Sequence, residues 1–278
     1  MSKSIFDQPT GSYSGDINEL AKKGLEDLVP VKPITRNELR QGYYIVRKSE
    51  VDHNVTATFG EHSNEIGKST IFFQEMAYKM HLFETVQRIS LKDLMYETLG
   101  EDEVKANLEL GLMKDAYHSV IFGKKHINME GIANLKGKSK VTVETLVNGY
   151  TLYEKAAHAK RESEKSKERL DVAYTLLVPH NYSHLLLELY SEPQYVTVKQ
   201  ALERDHRIAT VVLKGLTNPI LYEPNPEVMF VPVLSDIFYR KFTAPDGDYI
   251  HASMESAGVV HYKPHEVVEI NVTKPSGS

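Results

Sequence analysis

The chain has 278 residues, 41% of them hydrophobic, a formal net charge of −5 and no cysteine. The absence of cysteine excludes disulfides and thiolate metal sites, and the negative charge argues against tight non-specific nucleic-acid binding, which requires concentrated Lys and Arg. No apolar run reaches the ~18 residues of a membrane-spanning helix, and the N-terminus lacks the apolar region of a secretory signal. This length predicts one large domain or two closely packed ones.

Residues 1–42 are predicted to form an extended arm with one short helix. Asp16 is a suitable N-cap for the segment INELAKKGLEDL, and Pro30 and Pro33 end helical structure. The apolar residues of the arm are too few to form a core of their own. We therefore expect the arm to lie either on its own domain or on a neighbouring subunit.

Residues 43–88 are predicted to form a long hairpin. The run YYIVRKSEVDHNVTATFG is rich in β-branched and aromatic residues, and IFFQEMAYKMHLFETVQRI resumes a β-rich pattern after a polar interval at 60–70. Two such runs around a polar, glycine-containing tip indicate a hairpin. If the hairpin projects, its flanks need a partner to cover them.

The run from Glu101 to Phe122 is predicted to form a long helix, roughly 33 Å at 1.5 Å per residue. Acidic residues open it, where the positive end of the helix dipole favours them, and Gly123 closes it as a C-cap residue. Its apolar stripe repeats at intervals of three and four: Val104, Leu108, Leu112, Ala116 and Val120. A short helix capped by Ser90 is expected before it, and the glycine-bounded connector KKHINMEGIANLKG follows it.

The C-terminal half is predicted to alternate helices and strands. A second helix is expected over 141–169, with a charged and solvated second half, and shorter helices are expected in HLLLELY, starting at Asn181 or Ser183, and over 196–204. Strands are expected over 171–179, 208–213, 228–233, 237–242, 249–262 and 267–272. Pro232 indicates an edge or end position in its strand.

Two stretches resemble a phosphate-binding loop but have the wrong spacing. Residues 60–69 and 131–139 each end in Gly-Lys-Ser, with six and five residues between the first glycine and that tripeptide. The phosphate-binding loop needs four, because its backbone amides must curl around one phosphate before a helix starts. We therefore predict no nucleotide site.

His180, His184 and Glu188 recur every four residues on one predicted helix face. On one helix face they would present two imidazoles and a carboxylate to a metal, whereas the alternative is a solvent-facing polar stripe. A second pair with this spacing, His261 and His265, is discounted because a proline between them breaks the helix. No G-x-S-x-G elbow or other catalytic constellation occurs. We predict no catalytic, cofactor-binding or metal residues, no cofactor and no enzymatic activity.

Three runs in this order of elements are distinctive: LFETVQRISLKDLMYET after the hairpin, DAYHSVIFGKKHINMEGIANL at the end of the long helix, and DVAYTLLVPHNYSHLLLE together with the closing DYIHASMESAGVVHYKPHEVVEINV. They resemble the corresponding parts of the major capsid proteins of tailed bacteriophages, whose fold encapsulin nanocompartments share. The resemblance covers residues 43–272 and rests on a pattern of elements, without an invariant motif.

The resemblance implies an α+β fold, the HK97-like capsid fold, with an N-terminal arm, an extended β-hairpin loop, a peripheral domain with a long spine helix, and an apical domain. The implied divisions are an arm at 1–42, an extended loop at 43–88, a peripheral domain at 89–140 with its spine helix at 101–122, an apical domain at 141–235, return strands at 236–272 and a tail at 273–278.

The implied function is that of a major capsid protein, a structural subunit that self-assembles into an icosahedral viral shell around double-stranded DNA. Its partners would be further copies of itself in pentamers and hexamers, with portal, scaffolding or decoration proteins also allowed, weak contact with DNA and no membrane. It would be assembled in the host cytoplasm and reside in the virion. Some relatives cross-link a lysine of the extended loop to an asparagine. Lys48 and Lys68 are placed to be that lysine, but no matching asparagine motif is visible.

Two alternatives remain open at this point. The first is an encapsulin shell protein, which would enclose an enzyme instead of a genome. The second is a soluble α+β metal-dependent enzyme with His180, His184 and Glu188 as its metal ligands.

Overall fold

A computed structural model describes residues 28–51, 71–90, 92, 100–165, 172–191 and 195–273. Within these residues there are three α-helices: α1 (Glu101–Phe122), α2 (Gly149–Glu164) and α3 (Val198–His206). Short 3-10 helices occupy Arg36–Glu38, Lys125–Ile127, Ile132–Asn134, His180–Leu186 and Pro264–Glu266. None of the helices in these ranges is long and apolar enough to cross a membrane.

The strands of the described residues form two five-stranded sheets and two smaller ones. In chain order they are β1 (Val31–Ile34), β2 (Leu39–Arg40), β3 (Tyr43–Val51), β4 (Ile71–Lys79), β5 (His81–Ser90), β6 (Ser139–Val143), β7 (Tyr174–Pro179), β8 (Leu189–Ser191), β9 (Val196–Thr197), β10 (Ile208–Leu213), β11 (Ile220–Tyr222), β12 (Met229–Ala244), β13 (Gly247–Ser256), β14 (Val260–His261) and β15 (Val268–Val272).

The first sheet, which we call the peripheral sheet, has the order β1-β12-β13-β5, with β14 attached to β12. β1 is parallel to β12, whereas β12, β13 and β5 are antiparallel to one another. Leu28 and Val29 precede β1 and are buried in the same hydrophobic core as α1. The described end of the predicted arm therefore lies on its own domain, and residues 1–27 lie outside the described residues.

Helix α1 has the predicted bounds and the predicted C-cap, because Gly123 adopts φ 67°, a backbone angle that suits glycine. It packs on one face of the peripheral sheet, against β5 and β13. The apolar stripe is buried, with Val104 and Leu112 at most 2% exposed, while Gly111 and His118 lie on a face that remains open along the helix. The helix is therefore covered by sheet on one side only.

Strands β3 and β4 form the predicted hairpin, in continuous antiparallel register from Tyr43 opposite Lys79 to Val51 opposite Ile71. The predicted tip at 60–70 lies outside the described residues. So does most of the short helix expected before α1, although Ile89 and Ser90, at its predicted start, are the last residues of β5.

The second five-stranded sheet, which we call the apical sheet, has the order β10-β7-β11-β15-β6. Strand β7, which lies between β10 and β11, is buried at every position, as the apolar run TLLVP predicts. α2 and α3 complete a second hydrophobic core with this sheet: Leu152, Ala156, Leu202, Tyr174 and Ile270 are among its buried members.

The predicted helix over 141–169 is wrong at its start. Residues Ser139–Val143 form strand β6, and the helix begins only at Gly149, after the N-cap Asn148 accepts a hydrogen bond from the backbone N–H of Thr151. The alternating Val141 and Val143 are buried because β6 pairs in parallel with β15, and this long-range pairing overrides a local helical spacing. Residues 166–169 lie outside the described residues.

The α-helix predicted in HLLLELY is also wrong. Residues His180–Leu186 form a 3-10 helix, and Leu189–Ser191 then form strand β8, which pairs with β9. The strands expected at 228–233 and 237–242 are one continuous strand, β12, with an irregularity between Leu234 and Phe238. Pro232 lies inside β12, one residue before Val233, where the pairing with β13 begins. Its missing N–H therefore breaks no hydrogen bond to β13.

Candidate assembly surfaces

The fold does not form a metal site from His180, His184 and Glu188, the three residues whose spacing raised that possibility. His180 and His184 are exposed on the 3-10 helix, and the Glu188 carboxylate accepts a hydrogen bond of 2.5 Å from the backbone N–H of Gly149, at the start of α2. Glu188 therefore satisfies a free amide of a helix N-terminus. Within the described ranges, no group of three or more His, Asp or Glu side chains is placed to hold a metal ion.

The second phosphate-loop candidate also lacks the required structure. A strand, β6, begins at Ser139 where a phosphate-binding loop would need a helix N-terminus. The lysine of the motif, Lys138, forms an ion pair of 2.8 Å with Glu269 on the apical sheet, and both side chains are largely buried. The first candidate, at 60–69, lies outside the described residues.

The hairpin has one covered and one uncovered face. Tyr44 and Val46 are buried against a small hydrophobic cluster at the base of the hairpin. On the opposite face, Tyr43 is 40% exposed and lines, with Ile45 and Ala77, a shallow cleft of about 630 Å³. This uncovered face, Tyr43, Ile45 and Ala77, is the hairpin surface.

Polar contacts fix the base of the hairpin to the peripheral sheet. The ammonium of Lys32 on β1 donates a 2.8 Å hydrogen bond to the Tyr44 hydroxyl, which raises the pKa of Lys32. On the other strand, the Tyr78 hydroxyl donates a 3.3 Å hydrogen bond to the carbonyl oxygen of His261. The hairpin is therefore held at its base by contacts of both its strands.

The peripheral sheet has a similar uncovered face on the side away from α1. Four large apolar side chains on this face are half-exposed: Leu82, Val86, Phe238 and Phe242. The ring of Phe242 stacks on that of Tyr249 at a centroid distance of 5.0 Å. We call this face, with Arg88 and Glu84 among its charged residues, the outer face of the peripheral sheet.

A third uncovered surface lies at one end of the apical sheet, around the start of α2. The hydrogen bond between Gly149 and Glu188 joins two of its segments, and the pairing of β8 with β9 adds a third. We call this surface the apical tip. It exposes five large apolar side chains: Val147 at 74%, Tyr150 at 55%, Leu187 at 72%, Leu189 at 52% and Tyr195 at 80%.

Exposed apolar side chains cluster on these three surfaces, and clustered exposure of this kind marks interaction sites. The sequence indicated the hairpin surface, because the apolar flanks of a hairpin without a core of its own need a partner that buries them. It missed the apical tip, whose residues come from three separate segments.

No protein-family description matches the sequence, and no curated protein matches it. Solved structures of similar fold nevertheless cover almost the whole chain. The capsid of Myoviridae phage XM1 matches with TM-score 0.69 and 12% identity over 98% of this chain and 96% of that chain. A virus-like particle from Pyrococcus furiosus matches with TM-score 0.66 and 15% identity over 91% of this chain and 95% of that chain. The capsid of cyanophage P-SCSP1u matches with TM-score 0.64 and 11% identity over 99% of this chain and 93% of that chain. The chain therefore has the α+β HK97-like capsid fold that its order of elements predicts.

Proposed function

We propose that this chain is a major capsid protein, a structural subunit that assembles with copies of itself into a closed icosahedral shell around double-stranded DNA. The observation that carries the proposal is the match to subunits of assembled particles over more than nine-tenths of both chains. Three uncovered apolar surfaces support it, because self-assembly is the event that would bury them. No metal-binding cluster among the described residues favours the metal-dependent enzyme instead.

In this proposal each region has one role in the shell. The arm at 1–42 and the extended loop at 43–88 reach neighbouring subunits with the parts that lie outside β1 and β5, since these two strands pair within the peripheral sheet. The peripheral domain at 89–140 forms the body around α1 together with the return strands at 236–272, except for β15, which pairs in the apical sheet. The apical domain at 141–235 places its tip against neighbours around five-fold and six-fold axes, since a closed shell repeats one heterologous contact around each axis.

The test is the state of the purified chain. We expect particles of megadalton mass by light scattering and closed shells in negative-stain images, formed by the chain alone or with a scaffolding protein. Leu187→Asp places a charge on the apical tip and should abolish assembly while the monomer stays folded, and Leu187→Met, which keeps the surface apolar, should assemble normally. A wild-type chain that remains monomeric with and without scaffold contradicts the proposal.

An encapsulin-type compartment is the second candidate, because one similar structure is described as a virus-like particle and not as a phage capsid. The contents of particles made in their natural host distinguish the two. Packaged DNA, with portal, scaffolding or decoration proteins, supports the capsid in its virion after assembly in the host cytoplasm. A packaged enzyme without DNA supports the compartment.

A further inference from the structure

Strand β5 forms one edge of the peripheral sheet. It pairs with β13 along all ten of its residues, from His81 opposite Ser256 to Ser90 opposite Gly247, without a bulge. From His81 to Ile89, no described strand pairs with its other edge. A long, regular strand edge without proline or bulge is a template for pairing with another chain, and natural proteins usually block such an edge.

The side chains of β5 alternate between the two faces of the sheet. Phe83 and Ile89 point to the buried face under α1, at 4% and 1% exposure. Leu82, Glu84, Val86 and Arg88 point to the outer face and are all exposed. A strand added to this edge would therefore extend both the hydrophobic core and the outer face.

The sequence of β5 is complementary to itself in one antiparallel register. When Val86 lies opposite Val86 of a second copy, Glu84 lies opposite Arg88 of that copy, and the reverse pair forms on the other side of the axis. The same register places Thr85 opposite Gln87 and Leu82 opposite Ser90. Opposite charges that face each other across antiparallel strands stabilise the pairing.

Neighbouring registers lack this complementarity. Centring the pair on Glu84 places two carboxylates opposite each other, and centring it on Arg88 places two guanidinium groups opposite each other, both unfavourable. Centring it on Thr85 or Gln87 places Arg88 opposite an apolar residue. Shifts that bring an outer-face residue opposite an inner-face residue would turn apolar side chains away from the core.

We infer that β5 pairs with β5 of a second copy of this chain, antiparallel and centred on Val86, and joins two peripheral sheets into one continuous sheet. The contact is isologous, so the two copies are related by a two-fold axis, which every icosahedral shell contains. The inferred β5 pairing rests on the proposed function, because the shell brings the two copies together. It goes further by naming the strand that forms the two-fold contact and the register of that contact.

The charged residues already have partners within the chain and remain able to pair across the axis. The Glu84 carboxylate lies 3.2 Å from His251, and the Arg88 guanidinium lies 3.1 Å from Asp246. Both Glu84 and Arg88 side chains are about half-exposed, at 51% and 49%. A carboxylate accepts up to four hydrogen bonds and a guanidinium donates five, so each can hold a second partner.

Cysteine cross-linking tests the register directly, because the natural chain has no cysteine. Val86→Cys places two thiols opposite each other across the axis, within reach of a disulfide after small adjustment. We expect assembled Val86→Cys particles to give covalent dimers on mild oxidation, seen on non-reducing gels. Glu84→Cys is the matched control, because its two thiols lie about 13 Å apart along the strands and should not cross-link.

A charge exchange tests the same register without cysteine. Glu84→Arg or Arg88→Glu alone creates two like-charge contacts at each axis, and either should raise the protein concentration needed for assembly about tenfold. The double variant Glu84→Arg/Arg88→Glu restores opposite charges and should return this concentration to within about threefold of the wild-type value. Unchanged thermal melting of the variant monomers confirms that each variant folds.

The outcomes separate this inference from the proposed function. If the wild-type chain forms shells but Val86→Cys gives no covalent dimer, the β5 pairing is overturned and the shell function stands. A double variant that assembles no better than the single variants also overturns the pairing. A wild-type chain that never assembles overturns both.

Discussion

The peripheral region around α1 and the hairpin β3–β4 are neighbours in sequence, yet they are stabilised in different ways. α1 lies on the peripheral sheet and shares with it a large core to which residues from Leu28 to Val267 contribute. The hairpin has only a small cluster at its base, around Tyr44 and Val46, and its other face is uncovered. The peripheral region therefore has a large core of its own, whereas the described residues leave the hairpin surface uncovered.

Residues buried within one chain follow a different apolar pattern from residues that are buried between chains. In α1 the apolar residues follow the helical repeat and are buried to within a few per cent. In the hairpin both faces carry apolar residues, as in a strand that is to be covered on both sides. The following substitutions test that difference, in order of decreasing effect on the stability of the monomer.

Leu112→Ala should have the largest effect. Leu112 is 2% exposed in the core between α1 and the peripheral sheet, so the truncation removes buried area and leaves a cavity, which costs about 2–5 kcal/mol of the free energy of unfolding. Ile45→Ala on the hairpin surface should cost less than about 1 kcal/mol in the monomer and should instead weaken assembly. Urea unfolding and light scattering measure the two effects, and equal losses of stability would contradict the comparison.

Gly131→Ala should destabilise the end of α1 by about 3 kcal/mol. A methyl group at this position would clash with the backbone N–H of Gly123 and the carbonyl group of Ile121, where the connector folds back on the helix. Gly111→Ala is the control in the same region, because the added methyl group meets open space on the exposed face of α1. That change should stabilise the chain by up to about 1 kcal/mol. Thermal denaturation compares the two variants.

Glu269→Gln should cost about 1–3 kcal/mol at pH 7, because it leaves the largely buried Lys138 ammonium without its carboxylate partner. Burial by itself would raise the pKa of Glu269, but hydrogen bonds from Lys138 and Asn218 outweigh it and lower the pKa below the ordinary 4.5. A lowered pKa in the folded state gives stability that is present above pH 4.5 and is lost as the pH falls through the folded-state pKa.

The stability difference between wild type and Glu269→Gln should therefore be constant from pH 5 to 7 and shrink below about pH 4.5. Urea unfolding across this range measures it. Glu227→Gln, on an exposed residue next to a turn, serves as the control with the same chemical change. A difference that grows on acidification would contradict the assignment.

Tyr44→Phe should have the smallest effect, about 0.5–1.5 kcal/mol, because it removes the hydrogen bond from Lys32 and keeps the buried ring. The loss should be local to the base of the hairpin, where that bond ties β3 to β1. Hydrogen exchange should become faster in β3 and β4 and stay unchanged in α1. Faster exchange in α1 would show that the hairpin and the peripheral region unfold together.

Much of the fold followed from local patterns in the sequence. The apolar repeat and Gly123 gave α1 its bounds, and the uninterrupted apolar run TLLVP gave the buried strand β7, since such signals act within one element. The errors at β6 and at His180–Leu186 have different causes. β6 has a helix-like spacing but pairs with β15, which is distant in the sequence. The segment His180–Leu186 is followed by β8, which pairs with the nearby β9 and leaves no room for an α-helix over HLLLELY.

The sequence by itself determined where the chain forms its long helix and its hairpin, because apolar spacing and capping residues act over a few neighbours. Only the tertiary structure decided which apolar residues face solvent. Leu185, Leu186 and Leu187 are identical and consecutive, yet the first two are at most 3% exposed and the third is 72% exposed. The physical reason is that exposure depends on what packs from elsewhere in the chain, and at the apical tip no described residue covers Leu187.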